Sequence, residues 1–427
     1  MLGLESKYAY TPRAYRRVVF AAAQSVSFAD ASESLAELSD LKVFPKRAWR
    51  AAKRIGEERA DECRAAAARY EQLPLPARRQ SPVAQVPAVA CVQMDGGRFQ
   101  QRERIASPEA ASDSSSEDGK PAADSQADSF WKEYKAGLLM SMTSDTHAED
   151  PCPELPATFA DPGKMRQIAR EIKGFTSESA VSVEAGGGPG PDFKQRPGRP
   201  EALVKSVVAS SGDVEAFGPL LASAAYERGF HAAERKAFVA DGSAANWGVW
   251  RKHFSHYTPI LDFVHALMYV YAGAMAGRGA NEGWSSYRDW AQWLWSGEAA
   301  KVIADLELRQ QELGLPAEKE TGTPRAQVAS SLGYLTNQRG RMKYDEYRRA
   351  GLPITSSPME STIKQINRRL KGTEKFWSQG SDPMLHLVAD RLSQTTVADK
   401  FWTRRLDRLI ESASHQPLQP ADYPLAA

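Results

Sequence analysis

Val89-Ala90-Cys91-Val92-Gln93-Met94-Asp95-Gly96-Gly97 is the stretch from which the chain is best read. Its first six residues are nearly all apolar, which suits a central strand covered on both faces. The run ends on Asp95. Gly96-Gly97 then reads as a turn, from which Arg98 to Arg104 return as the second strand of a hairpin. The pattern recurs at Lys236-Ala237-Phe238-Val239-Ala240, another strand that ends on an acid and a glycine, Asp241-Gly242. Residues 136–142 add a third strand, and 203–209 are strand-like. Helices are expected over about 213–228, from near Asn246, and through the apolar run that holds Asp262 and His265. Strands alternating with helices argue for an α/β core with helices on the sheet.

In such sheets ligands sit beyond the carboxyl ends of strands, so Asp95 and Asp241 can project into one crevice. A third acid comes from Leu352-Pro353-Ile354-Thr355-Ser356-Ser357-Pro358-Met359-Glu360-Ser361, a loop that tips into a helix. Ser357 suits the N-cap and Pro358 the first helical position. Met359, Ile363, Ile366 and Leu370 make an apolar face, while Glu360, Lys364 and Arg368 line a second one. A carboxylate followed by two cations is what a site handling metal ions and phosphates presents. The alternative is a capping box, Ser357-x-x-Glu360, in which the Glu bonds back to the N-cap backbone. Three carboxylates suit two hard divalent ions, Mg²⁺ with Mn²⁺ as a substitute. Ions about 4 Å apart would activate a water or a 3′-hydroxyl and stabilise the leaving oxygen of an in-line displacement at phosphorus. Acids at strand ends are common, so spacing alone leaves a structural reading of all three open.

The net charge of +2 over 427 residues conceals an asymmetry. Residues 109–161 carry a balance of −9 and residues 339–375 one of +6. A basic block beside a candidate acid points to phosphate backbones, which are bound by local charge. The first 74 residues look all-helical: Ser27 caps a helix to about residue 38, and Pro45 opens a long one to about residue 70. On the second, Lys46, Arg47, Arg50, Lys53 and Arg54 lie away from Ala48, Ala52 and Ile55. This fits a helix-turn-helix on DNA, or equally a solvated face of a plain helical hairpin. Three scattered cysteines, Cys63, Cys91 and Cys152, match neither a metal motif nor a disulfide framework, as in a reducing cytoplasm. No run is long and apolar enough for a membrane span. Prolines mark a linker over 75–87, and residues 107–128 and 143–200 read as disordered and loop-rich, apart from a short helix over about 165–172. The glycines at 186–190 lack the strand and helix of a phosphate cradle. Trp284, Trp290, Trp293 and Trp295 within 277–335 suit a helical core. A charged helix over 341–350 and a last helix over about 383–411 precede a tail from 413.

The ordered set Met94-Asp95-Gly96-Gly97-Arg98, Ala240-Asp241-Gly242 with Asn246-Trp247, Ile260-Leu261-Asp262-Phe263-x-His265-Ala266, Gly351 to Ser357, Glu360-Ser361 and Lys371-Gly372-Thr373-Glu374-Lys375-Phe376-Trp377 resembles DDE-type insertion-sequence transposases of the ISKra type. The start, Leu2-Gly3-Leu4-Glu5 through Arg16-Arg17-Val18-Val19, resembles them too. The resemblance implies an RNase H-like mixed sheet flanked by helices, split into 88–276 and 336–412 around an all-α insertion at 277–335. It implies Asp95, Asp241 and Glu360 as the metal-binding catalytic triad. Asp262-x-x-His265 is similar to an acid-x-x-His signature in which the His contacts DNA or orients a carboxylate; the alternative is a structural pair at a helix start. Lys364, Arg368, Arg369 and Lys371 would steady phosphates, and the N-terminal basic helix would grip element ends. The expected activity is hydrolysis and strand transfer at the ends of an insertion sequence. The expected partners are double-stranded DNA and, for synapsis, further copies in a homodimer or larger assembly. Such proteins often carry a Cys-rich segment ahead of the matching start, so a truncated or decayed form that only binds DNA is a second expectation. An RNase H-like nuclease or resolvase is a third.

Overall fold

The computed structural model describes residues 10–101, 131–173, 198–372, 376–377 and 379–414. The expectations for 107–128, for the glycines at 186–190 and for the tail from 415 lie outside these residues. Three helices come first: α1 (Pro12–Gln24), α2 (Phe28–Ser39) and α3 (Pro45–Gln72). Ser27 and Asp30 cap α2 reciprocally, at 3.1 and 3.0 Å, as the sequence suggests. After the short α4 (Leu75–Arg78) come β1 (Val89–Gln101), β2 (Trp131–Thr143), α5 (Pro162–Lys173), β3 (Glu201–Ser210) and α6 (Val214–Glu227). Then follow β4 (Arg235–Ala240), α7 (Ala244–His253), β5 (Thr258–Leu261) and α8 (Phe263–Met275). The all-α stretch is α9 (Ala280–Trp295), α10 (Ala299–Leu313) and α11 (Pro324–Gln338). The chain continues with α12 (Tyr344–Arg349), α13 (Ser357–Leu370), β6 (Phe376–Trp377), α14 (Ser381–Leu392) and α15 (Val397–Ser414).

The fold is α/β, an open mixed sheet flanked by helices, with strand order β3-β2-β1-β4-β5. β1 and β3 run antiparallel to β2, whereas β4 runs parallel to β1 and to β5. The two-residue β6 pairs with the far end of β1. β1 is therefore central, and its apolar first half is fully buried, as a doubly covered strand requires.

The expected hairpin at Gly96-Gly97 does not form. β1 runs straight through both glycines and pairs along its length with β2, so Asp95 sits within a strand rather than at its end. The glycines serve a close approach instead. A Cβ on Gly97 would stand 2.3 Å from the hydroxyl of Tyr134, whose buried ring lies over that position. Residues 258–261, for which the sequence pattern gives no separate strand signal, form the strand β5. The expected last helix is two helices, because residues 393–394 bond to the edge strand: Ser393 Oγ accepts from Val207 N–H at 2.9 Å, and Gln394 N–H donates to Lys205 O at 2.8 Å. Covering the edge this way removes a row of unpaired backbone groups.

The N-terminal helices pack on the body of the fold, α3 lying against α14 and α6. Arg59 of α3 donates to both oxygens of Asp390 on α14, at 2.8 and 3.1 Å. α9 and α11 pack on α8. Trp290 and Trp295 are buried there, as the clustered tryptophans suggest. Among the described residues, no helix is long and apolar enough to cross a membrane.

Candidate active site

Asp95, in β1, and Asp241, just beyond β4, follow the same end of the β1–β4 ladder. The β1–β4 register pairs Gln93 with Val239, and two residues further along each chain come Asp95 and Asp241. Neighbouring strands lie about 4.8 Å apart. Asn246, in the first turn of α7, locks this corner: its Nδ2 donates to Asp241 Oδ1 at 2.8 Å and to Met94 O at 3.3 Å. The Ser243 N–H also donates to Asp241 Oδ1, at 3.0 Å. The chain turns at Gly242 with φ +92°, and a Cβ there would meet the Tyr334 hydroxyl at 2.6 Å. Tyr334 of α11 donates to Asp241 O at 2.6 Å, and Gln338 donates to Gly242 O at 3.1 Å. The all-α stretch thus closes over the Asp241 turn.

The loop before α13, the helix that carries Glu360, is fastened to the sheet beside this corner. Gln93 Nε2 donates to Thr355 O at 2.9 Å, and the Phe263 N–H donates to Ile354 O at 2.9 Å. Asp262 carries the third fastening. Fully buried, it caps α8, and its Oδ1 accepts from the His265 N–H at 2.7 Å and from His265 Nδ1 at 3.0 Å. Its Oδ2 accepts from the Ser356 N–H, and its own N–H donates to Ala240 O at 2.9 Å. Asp262 therefore joins the starts of α8 and α13 through its carboxylate, and the end of β4 through its backbone N–H.

The capping-box geometry of Ser357-x-x-Glu360 is absent. The helix begins one residue earlier than expected, with Ser356 as N-cap, Ser357 and Pro358 in the first turn, and no side-chain cap bond. The physical reason is the hold of Asp262 on the Ser356 backbone. Met359, Ile366 and Leu370 are buried and Ile363 packs on the core, as the spacing predicts.

The charges interact. Burial, reinforced by the negative fields of Asp241 and Glu360, pushes the Asp95 carboxyl up to about 6, against the Gly96 N–H and His265. Burial opposes charge on His265, but the bond and charge of Asp262, with Asp241 and Glu360, raise it to about 9. Asp262 is held low despite complete burial, by His265 and by the backbone N–H groups of His265 and Ser356. Asp95, Asp241, Glu360 and His265 thus share one electrostatic neighbourhood. Among the described residues, no three His, Cys, Asp or Glu side chains stand as a ready-made metal cage. As a donor set, carboxylates whose negative fields act on Asp95 suit hard, oxygen-seeking cations.

Lys46, Arg47, Arg50 and Arg54 of α3 are exposed, while Lys53 is half-buried and donates to Gln379 at 3.0 Å. On α13, Lys364 and Arg368 are exposed, and Lys371 follows, exposed, with its amine 5.3 Å from the Trp131 ring. Arg369 corrects the sequence expectation of a phosphate contact. It is buried, donates to Ala22 O at 2.8 Å, and lies over Phe28 at 4.3 Å and Trp377 at 5.3 Å. It ties α1 to α13. Sequence reasoning assigned no role to Gln93, Asn246, Tyr334 or Ser356. Of these only Asn246 carries a local signal, an amide five residues after an acid at a helix start. No protein-family model matches the chain. No curated protein matches it either.

Proposed function

We propose that the chain is a DDE-type DNA transposase with an RNase H-like core, acting on phosphodiester bonds at the ends of an insertion sequence. The observation that carries this reading is that the charges of Asp241 and Glu360, from two other parts of the chain, act on the buried Asp95 carboxyl of the central strand. The acids lie 146 residues (95 to 241) and 119 residues (241 to 360) apart, so no local folding requirement brings them together. Asp95, Asp241 and Glu360 would hold Mg²⁺ or Mn²⁺, which when bound supplies activation of the attacking oxygen and neutralisation of charge at phosphorus.

The chain's own side chains do the rest. Asn246 fixes the rotamer of Asp241, and Tyr334 fixes its backbone. Asp262 keeps His265 protonated below about pH 9 and uses Nδ1, which leaves Nε2 as the remaining donor for a phosphate oxygen. Lys364 and Arg368, one and two turns beyond Glu360, add cations for the DNA backbone. The exposed basic face of α3 supplies a second DNA contact, in keeping with a helix-turn-helix role, and synapsis of two ends calls for a dimer or larger assembly on DNA.

The test uses the full-length protein, Mg²⁺ and a plasmid that carries the DNA flanking its own gene. Wild type should cut and join strands, and Asp241→Asn and Glu360→Gln should do neither while binding the same DNA. Binding without any metal-dependent cutting by wild type would make it a non-catalytic DNA-binding protein. Cutting without joined products would make it a nuclease.

A further inference from the structure

A recess of about 740 Å³ opens between α3, α6, the edge strand β3, α14 and α15. None of Asp95, Asp241, Glu360 or His265 lines it, and β3 stands two strands away from β1. Its size lies within the roughly 300–1,000 Å³ of pockets that hold small organic ligands. Val83, Val207 and Leu220 give it apolar wall.

Its polar lining has functions to spare. His386 is 4% exposed, yet its Nε2 has no hydrogen-bond partner; the nearest carboxylate oxygen, on Asp382, is 3.8 Å away. The hydroxyl of Thr395 is also without a partner. Buried polar atoms are almost always paired, so such orphans mark a place for a ligand or ordered water. Glu227 keeps accessible surface inside the recess and is faced by Arg59, Arg69 and Arg404. Two of these are committed elsewhere, Arg59 to Asp390 at 2.8 Å and Arg404 to Glu62 at 2.6 Å. Arg228 spends its N–H groups on neutral oxygens, those of Leu139, Ser206, Ser141 and Val204 at 2.6–3.1 Å, so no carboxylate offsets its charge. Arg69 and Lys400 stand exposed at the rim, outside every ion pair found among the described residues. Five Arg and Lys side chains line the recess against three Asp and Glu, a balance of +2.

Surplus donors and positive charge call for a ligand rich in acceptor oxygens. Glu227 calls for a donor on that ligand, and the apolar wall calls for an organic body. We propose that this recess binds a small phosphate ester of nucleotide size, with its phosphate between Arg69 and Lys400 and a hydroxyl or amino group on Glu227. Arg is suited to phosphate by its planar fork of donors.

Calorimetric titration of the full-length protein with AMP as probe tests this, with adenosine and inorganic phosphate as separate titrants. AMP should bind saturably and more tightly than either fragment, and should raise the unfolding midpoint. Arg69→Gln with Lys400→Gln, at exposed positions, should weaken AMP at least about tenfold, with the ligand-free unfolding midpoint unchanged. His386→Phe, if it folds, should weaken AMP as well. Absence of saturable AMP binding, or equal binding by the rim variant, would overturn the proposal. So would phosphate that binds as tightly as AMP, since the recess would then be an adventitious anion site.

Discussion

Removal of the Asp262 carboxylate should loosen two helix starts at once, those of α8 and α13. Asp262→Ala leaves the Ser356 N–H and the His265 N–H without an acceptor, and it strips the N-cap of α8. A lost cap costs about 1 kcal/mol. Breaking a buried charge pair from one side costs about 3–5 kcal/mol, and because the two losses overlap the total stays near that range. Linkage supplies a second figure, to which Asp262 contributes most and Asp241 and Glu360 add. His265 rises from its ordinary 6.5 to about 9 in the folded protein. At 1.36 kcal/mol per pH unit, that gap corresponds to about 3 kcal/mol. Since the folded value is the higher one, this stability is complete below pH 6.5 and is lost as pH rises through 9. Urea unfolding of wild type and Asp262→Ala at pH 6, 8 and 10 reads both effects. The difference should be about 3–5 kcal/mol at pH 6 and should shrink towards pH 10. A difference under about 1 kcal/mol at pH 6, or one that does not change with pH, would refute the joining role given to Asp262.

Three further outcomes follow from the packing. Gly97→Ala should destabilise by about 1–3 kcal/mol through overlap with the buried Tyr134 ring, and the penalty should largely vanish in a Tyr134→Leu background, as a double-mutant cycle would read. Asp150→Ala should cost about 3–5 kcal/mol in thermal or urea unfolding, because Asp150 is the carboxylate partner of the buried Arg348. Arg369→Gln should lower stability with little change in DNA affinity. Lys364→Gln with Arg368→Gln should do the reverse, weakening DNA and flattening the dependence of its affinity on salt.

Much of the architecture was legible where local chemistry governs it. The apolar runs at 89–94 and 236–240, the Ser27 cap and the Pro45 start all behave as their residues dictate. The misreadings share a cause: a distant partner overrides the local signal. Gly96-Gly97 resembles a turn, and only Tyr134, on the neighbouring strand, explains why the chain stays extended there. Thr258-Pro259-Ile260-Leu261 is too short to separate from the helix that follows without its pairing to β4. Ser357 looks like a better cap than Ser356 until Asp262, 94 residues earlier, takes the Ser356 N–H. Arg369 shares a basic block with Lys364 and Arg368, yet it points inward because α1 and Phe28 come to rest on that face. The candidate acids were legible as residues. The group that orients Asp241, the Asn246 amide, was not, since its second partner is the backbone of β1.

The central claim is that Asp95, Asp241 and Glu360 act together as one cation-holding site. Mn²⁺ binding by the full-length protein, followed by electron paramagnetic resonance and repeated with Asp95→Asn, Asp241→Asn and Glu360→Gln, tests it most directly. The account predicts saturable binding by wild type, strongly weakened in each variant while the fold persists. Wild-type protein that binds no Mn²⁺, or three variants that bind it as wild type does, would contradict it.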